Sequence, residues 1–164
     1  MTTRTAPVDY IERTRDQYAA LGYPTYRWAT NAEPPPWAPL EKPVAECRIA
    51  LVASGGVYAR GQVAFHYRDD TSLRVIACDT PQRELRVTHF AYDLADARCD
   101  PSTVFPLETL RRLADEGEIG GLGTNAYTFM GGIYSTRKVS DLLAPAIAER
   151  LVRDDVDLAL FVPV

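Results

Sequence analysis

Histidine and cysteine are scarce in this chain, two and three of them among 164 residues. Cys47, Cys78 and Cys99 are odd in number and far apart, so they supply neither a disulfide framework nor a CxxC redox pair. A reducing cytoplasm is the simplest setting for them. His66 and His89, with scattered aspartates, do not make a metal-ligand spacing, and no metal is expected. A GxSxG elbow is missing, as are a locally supported Cys–His pair and any nicotinamide or flavin fingerprint, so no cofactor is assigned. Nothing approaches the roughly 18 consecutive apolar residues of a membrane span. The first residues, MTTRTAPVDYIERTRDQY, carry charges where a signal sequence needs an apolar core. The 18 basic residues form no block and are outnumbered by 22 acidic ones, which argues against nucleic acid. Arg137-Lys138 reads as helix-end solvation.

What is present is ordinary for a soluble globular chain: 46% hydrophobic and 24% charged residues, in a length that fits one domain with a real core. No internal repeat interrupts it. A helix is predicted from Asp9 through Leu21, with Asp9 as N-cap, Glu12 as its capping-box partner and Gly22 as the stop. The following stretch, YPTYRWATNAEPPPWAPLEKPV, is a proline-rich extended arm. Its Trp28 and Trp37 have the area to hold it against its own domain or against a partner. Residues 1–43 are therefore read as a helix and arm, and 44–164 as an α/β domain.

Within that domain CRIALVA (47–53) reads as the first core strand, and LRVIA (73–77) and LRVTHF (85–90) as two more. LETLRRLADEG gives a helix with Leu107, Leu110 and Leu113 on one face and Gly117 as its stop. A short strand or turn is expected near Tyr127. SDLLAPAIAERLVRDD gives a second amphipathic helix, with Ser140 as its cap and Pro145 early in it. The final run, VDLALFVPV, is apolar throughout, the pattern of a buried strand. Strand, loop, helix and strand in this order predict an open, largely parallel α/β sheet with flanking helices, of Rossmann-like or flavodoxin-like type.

Two glycine loops and one histidine are the candidate functional features. Ser54-Gly55-Gly56 follows a predicted strand, where exposed amides hold a carboxylate or phosphate, or where the glycines simply make a tight turn. Met130-Gly131-Gly132 reads as a second loop of close approach or as a helix–loop junction. His89, followed by Tyr92 and Asp93, reads either as a proton-transfer group or as a structural histidine bonded to a loop. His66 has weaker surroundings. Arg60 is a carboxylate-binding arginine on one reading and a solvated loop residue on the other.

Several stretches together resemble a known family. DYIERTRDQYAALGYPTYRWATN, IALVASGGVYARGQVAF, VTHFAYD, DPSTVFPLETLRRLADEGEIGGL, YTFMGGIYS and DDVDLALFVPV are similar, in this order, to component B of the glycine/sarcosine/betaine/D-proline reductases, the selenoprotein B family. The resemblance implies reductive cleavage of a C–N bond in a small amine or amino-acid-like substrate. In that family a selenocysteine or cysteine, followed three residues later by a second cysteine or similar residue, directly follows the strand matching VDLALFVPV. Cys47, Cys78 and Cys99 do not align with it.

The resemblance thus implies that the redox thiol or selenol lies outside this chain. It would sit on a separate polypeptide, or have been lost by cleavage or by descent. Absence of the family's next helix would also leave apolar surface beside the last strand, which predicts a protein partner or homo-oligomer. Carried onto this sequence, Ser54, Gly55 and Gly56 would offer backbone donors to a substrate carboxylate. His89 would be proton donor or orienting group, with Asp93 setting its tautomer. Tyr92 would join the substrate-binding set, and Met130, Gly131 and Gly132 would form the opposite wall. Two other classes remain open: a non-catalytic binding or assembly subunit, and a redox-independent lyase or isomerase using His89 as acid/base.

Overall fold

The computed structural model describes residues 8–25 and 29–164; Trp28 of the arm lies outside the described residues. The chain divides into two compact units, Met1–Trp37 and Ala38–Val164. In the first, helix α1 (Tyr10–Ala20) begins as its sequence dictates. The Asp9 carboxylate accepts the Glu12 amide at 3.0 Å, while Glu12 turns to Arg15. It ends in a Schellman arrangement, with the Gly22 amide on the Ala19 carbonyl, the Tyr23 amide on the Tyr18 carbonyl, and Gly22 at φ +73.

The second unit is built around strand β1 (Arg48–Ala53), five of whose six residues are buried. A hairpin-like excursion follows, β2 (Val57–Ala59), and then β3 (Arg74–Ala77) and β4 (Leu85–Val87). The short helix α2 (Ala95–Cys99) leads to α3 (Leu107–Asp115). Next come β5 (Gly121–Leu122) and β6 (Asn125–Thr128). Helix α4 (Thr136–Lys138) continues through a π-helical turn, Val139–Leu143, into α5 (Ala144–Arg153), and β7 (Leu158–Val162) ends the series.

Strand β1 pairs in parallel with β7 from Ile49↔Leu158 to Ala53↔Val162. Its other edge is shared: β5 pairs with the first residues and β6 with the last, both parallel. Beyond β6 lies β3, antiparallel. The result is an α/β fold with an open, mostly parallel sheet. Alternation along β1 feeds two cores. Ile49, Leu51 and Ala53 pack with Phe105, Leu107 and Leu110 on one face. Val52 and Tyr127 pack with Leu143 and Ile147 on the other. Burying each large aliphatic or aromatic side chain contributes about 1.5–3 kcal/mol.

Four expectations change in the structure. LRVTHF is a strand only to Val87, and it pairs with β2 in a separate antiparallel ribbon instead of joining the main sheet. Ser140 is not a cap: the helix starts earlier, where the Ser135 hydroxyl accepts the Lys138 amide at 3.3 Å. Pro145 therefore lies inside a continuous helix. It has no amide to donate, and the wider π turn before it relieves the missing bond. Finally, β7 is not buried. No strand among the described residues flanks its outer side, and Leu158, Leu160 and Phe161 are exposed.

No helix among the described residues is long and apolar enough to cross a membrane. One polar tie joins helix and sheet. Asp154, at the end of α5, accepts Asn125 Nδ2 at 3.1 Å and the Tyr127 hydroxyl through the same oxygen. Burial first, and then this carboxylate, push the Tyr127 phenol up to about 12. Asp154→Ala strips two donors of their acceptor. It is expected to cost about 1–3 kcal/mol, read as a lower urea midpoint at unchanged slope. Tyr127→Phe, which leaves the Asn125 bond in place, is expected to cost less.

Candidate functional site

The carboxyl ends of β1, β6 and β7 converge, and the residues there are knotted together by backbone bonds. Ser54 donates its amide to the Val162 carbonyl at 3.1 Å, and its hydroxyl oxygen accepts the Val164 amide at 2.9 Å. Gly55 and Met130 form an antiparallel bridge, with the Gly56 amide on the Phe129 carbonyl and the Gly131 amide on the Ser54 carbonyl. The two glycine loops are therefore one structure, and the fold brings together both of the sequence-level loop candidates.

This knot revises the expected donors. The amides of Ser54 and Gly56 are spent inside the protein, so of Ser54, Gly55 and Gly56 the Gly55 amide is the one with no partner among the described residues. Met130 is fully buried, so of the expected opposite wall only its backbone, with Gly131 and Gly132, could face a ligand. One of these glycines is required by backbone space, and another is approached by an exposed ring. Gly56 has φ +70, and a Cβ there would sit 1.9 Å from the Thr88 carbonyl oxygen. A Cβ on Gly132 would sit 2.2 Å from the Phe90 ring.

The Gly56–Thr88 contact delivers His89. The Thr88 amide donates to the Gly56 carbonyl at 3.0 Å, extending the β2–β4 ribbon by one step and turning the next residue toward the knot. His89 is 8% exposed. Its Nδ1 accepts the Ala91 amide at 3.0 Å, which leaves the proton on Nε2, and that buried N–H has no partner among the described residues. Asp93 does not set this tautomer. Its carboxylate accepts the Ala95 amide at 2.9 Å at the start of α2, and a backbone amide fixes the imidazole instead. Burial lowers the His89 pKa from its ordinary value, so the ring is neutral near pH 7.

Aromatic rings surround it. The Tyr92 ring lies 4.8 Å from His89 and its hydroxyl donates to the Gly55 carbonyl at 2.8 Å. Phe90 stacks on His89 at 5.6 Å and on Tyr134 at 6.5 Å. Burial raises the Tyr92 phenol, while the charge of Arg98 acts against that rise.

Arg98 and Asp69 escaped the sequence reading. Asp69, at φ 46, accepts the amides of Tyr134 and Ser135 at 2.8 and 3.3 Å across more than sixty residues, a pairing that only tertiary structure creates. Arg60 is a surface residue paired with Glu84 at 3.5 Å. His66 sits in an exposed turn, taking the Arg68 amide on Nδ1 at 3.2 Å.

None of the cysteines reaches the knot by a described contact. Cys47 is core, with its thiol on the Pro43 carbonyl at 3.3 Å, and Cys99 is exposed at the end of α2. Cys78 donates its amide to the Thr124 carbonyl, at the amino end of β6, roughly 15 Å along the sheet from the knot. Burial pushes its thiol up to about 11, which keeps it protonated and unreactive. A cleft of about 700 Å³ between Cys78, Arg111 and Thr124 lies at that amino end and away from the glycine loops. No group of three or more His, Cys, Asp or Glu among the described residues is placed to hold a metal.

Fold and site together define an α/β domain with two interlocked glycine loops at the carboxyl end of a mostly parallel sheet and a buried, neutral histidine beside them. A family model described as glycine/sarcosine/betaine reductase selenoprotein B (GRDB) matches residues 25–163, and the chain belongs to that family. It is 35% identical over 127 residues to "D-proline reductase subunit gamma" of Acetoanaerobium sticklandii, covering 77% of this chain and 52% of that protein. It is 30% identical over 137 residues to "Glycine reductase complex component B subunit gamma" of Symbiobacterium thermophilum, covering 77% of this chain and 30% of that protein. The chain thus spans about half, or less, of the length of these curated relatives. No solved structure matches it.

A pH test of the histidine follows. Folding lowers its pKa, so the unfolded chain, with a value near 6.5, binds the proton more readily. Its contribution to stability is complete above that value and is lost as pH falls below it. Asp157, held below the carboxylate range first by its hydrogen bond from Lys42, acts only at lower pH. Denaturation midpoints are expected to rise between about pH 5 and 7 in the native chain, and to lose most of that slope in His89→Gln.

Proposed function

We propose that the chain is the substrate-binding part of a component B reductase, with the carboxyl-end wall as the seat of a small amine or amino-acid-like molecule. The observation that carries this reading is the buried, unpartnered Nε2–H of His89 beside two interlocked glycine loops. A buried donor without an acceptor costs about 1–3 kcal/mol, and a ligand oxygen or nitrogen would supply the missing acceptor. The Gly55 amide is the second available donor, and Tyr92 steadies it through the Gly55 carbonyl.

Reductive cleavage of a C–N bond needs two electrons, a proton for the carbon, and a second proton for the nitrogen unless the amine leaves from an already cationic nitrogen. In this reading the electrons come from a thiol or selenol outside these 164 residues, and the chain's own residues bind and orient. His89 suits the orienting role. With Nδ1 occupied by an amide and Nε2 protonated, the neutral ring offers a hydrogen bond but no free base. The same facts give little support to a lyase or isomerase using it as acid/base. An assembly role is supported by a different observation, the exposed Leu158, Leu160 and Phe161 on the open edge strand β7. That edge suits docking of a polypeptide that brings the redox group.

Uniformly 15N-labelled protein, titrated with glycine, sarcosine, betaine and D-proline, tests the binding reading. At least one is expected to shift His89 Nε2 and the Gly55 amide together, and His89→Gln is expected to weaken that ligand at least tenfold. If none of the four moves either signal in folded protein, the substrate wall is wrong and the assembly role stands alone.

A further inference from the structure

A second polar concavity lies on the outer face of the β2–β4 ribbon, about 350 Å³ in volume, and the function proposed above does not use it. Its polar lining is Tyr58, Arg86, Thr88 and Arg98. Register explains the grouping. Val57 pairs with Val87 and both turn inward, so Tyr58 and Arg86, which pair directly, face the other way, with Thr88 two residues further on the same side. Arg98 comes in from α2.

Every polar side chain in this lining can donate a hydrogen bond, and none is acidic, although the protein has more acidic than basic residues. Neither Arg86 nor Arg98 has a carboxylate within 4 Å among the described residues. Arg86 is also pre-oriented. Its Nη1 donates to the carbonyls of Arg83 and Leu85 at 2.8 and 2.7 Å, leaving Nε and Nη2 uncommitted. Two guanidinium groups lining one cleft repel each other, and an anion between them would reverse the sign of that interaction. Planar guanidinium forks match the paired oxygens of carboxylates and phosphates.

We propose that this cleft binds a small oxyanion, a carboxylate or phosphate group, gripped by Arg86 and Arg98 with Tyr58 and Thr88 as neutral donors. The site is distinct from the His89 wall: Thr88 faces the cleft and the next residue faces the knot. Arg98 also lies near enough to Tyr92 for its charge to be felt there.

The test is titration of the full chain at low ionic strength, with inorganic phosphate and with succinate in separate series, followed by backbone amide shifts. Saturable shifts at Thr88 and Arg98 are expected with at least one anion, and the tighter of the two identifies the phosphoryl or the carboxylate source. Arg86→Gln and Arg98→Gln are each expected to weaken binding at least tenfold, while Arg112→Gln, on α3 and paired with Glu116, leaves it unchanged. Thr88→Val, which keeps both charges, is expected to weaken it severalfold and serves if an arginine variant does not fold. Absence of saturable shifts with both anions overturns the proposal, and so does an equal loss in Arg112→Gln.

Discussion

Strand β1 is hydrogen-bonded along both edges and buried on both faces, and the features of functional interest hang from its last residue. Because β6 and β7 both run parallel to it in register, their carboxyl ends arrive together beside Ser54. There the ladder does not simply stop. The amides of Ser54, Gly56, Gly131 and Val164 are all taken up by neighbouring loops, so the end of the sheet is a bonded knot and not a set of independent turns. Glycine is obligatory at Gly56 because the Thr88 carbonyl occupies the space of a side chain, and that contact is also what sets His89 in place. Rigidity of the strand and placement of the histidine are thus one constraint.

In the proposed reading, that arrangement separates binding from redox chemistry. The knot presents an unpartnered N–H on a neutral ring and one unclaimed amide, which suits holding a small polar molecule. The three thiols are elsewhere: one sealed in the core, one at the opposite end of the sheet with its proton held tightly, and one on an exposed short helix. The chain belongs to the selenoprotein B family, and the proposal that it supplies the wall of a site while the reducing group comes from elsewhere rests on that membership and on this distribution of sulfur. The open edge of β7 agrees with such an arrangement. Its residues are apolar enough for the interior of a sheet, yet they stand at its border.

Much of the architecture was legible because it is local. Asp9, Glu12 and Gly22 bracket α1 through contacts no more than five residues long, and the leucines of α3 mark its buried face by spacing alone. The glycine loops were visible as punctuation after an apolar strand, and the family resemblance rested on the same blocks of residues. Other features depend on distant partners. The apolar pattern of residues 156–164 says that the segment tolerates burial, but burial needs a neighbour on each side, and the fold supplies one. Ser140 has the chemistry of a cap, yet the Ser135 hydroxyl was the one that met a free amide. Asp93 follows His89 closely in sequence, but its carboxylate was nearer to the start of α2.

Composition and periodicity by themselves therefore determined the class of fold, both ends of α1, the strand at its centre and the two loops beside it. Those follow from hydrophobic spacing and from backbone preferences that a residue carries with it. Which amides are spent, which face Arg86 shares with Tyr58, where the proton sits on His89 and which edge of the sheet is open were decided only by tertiary structure. Each of these depends on which groups from far along the chain come within hydrogen-bonding distance, and a single sequence does not encode that as a pattern.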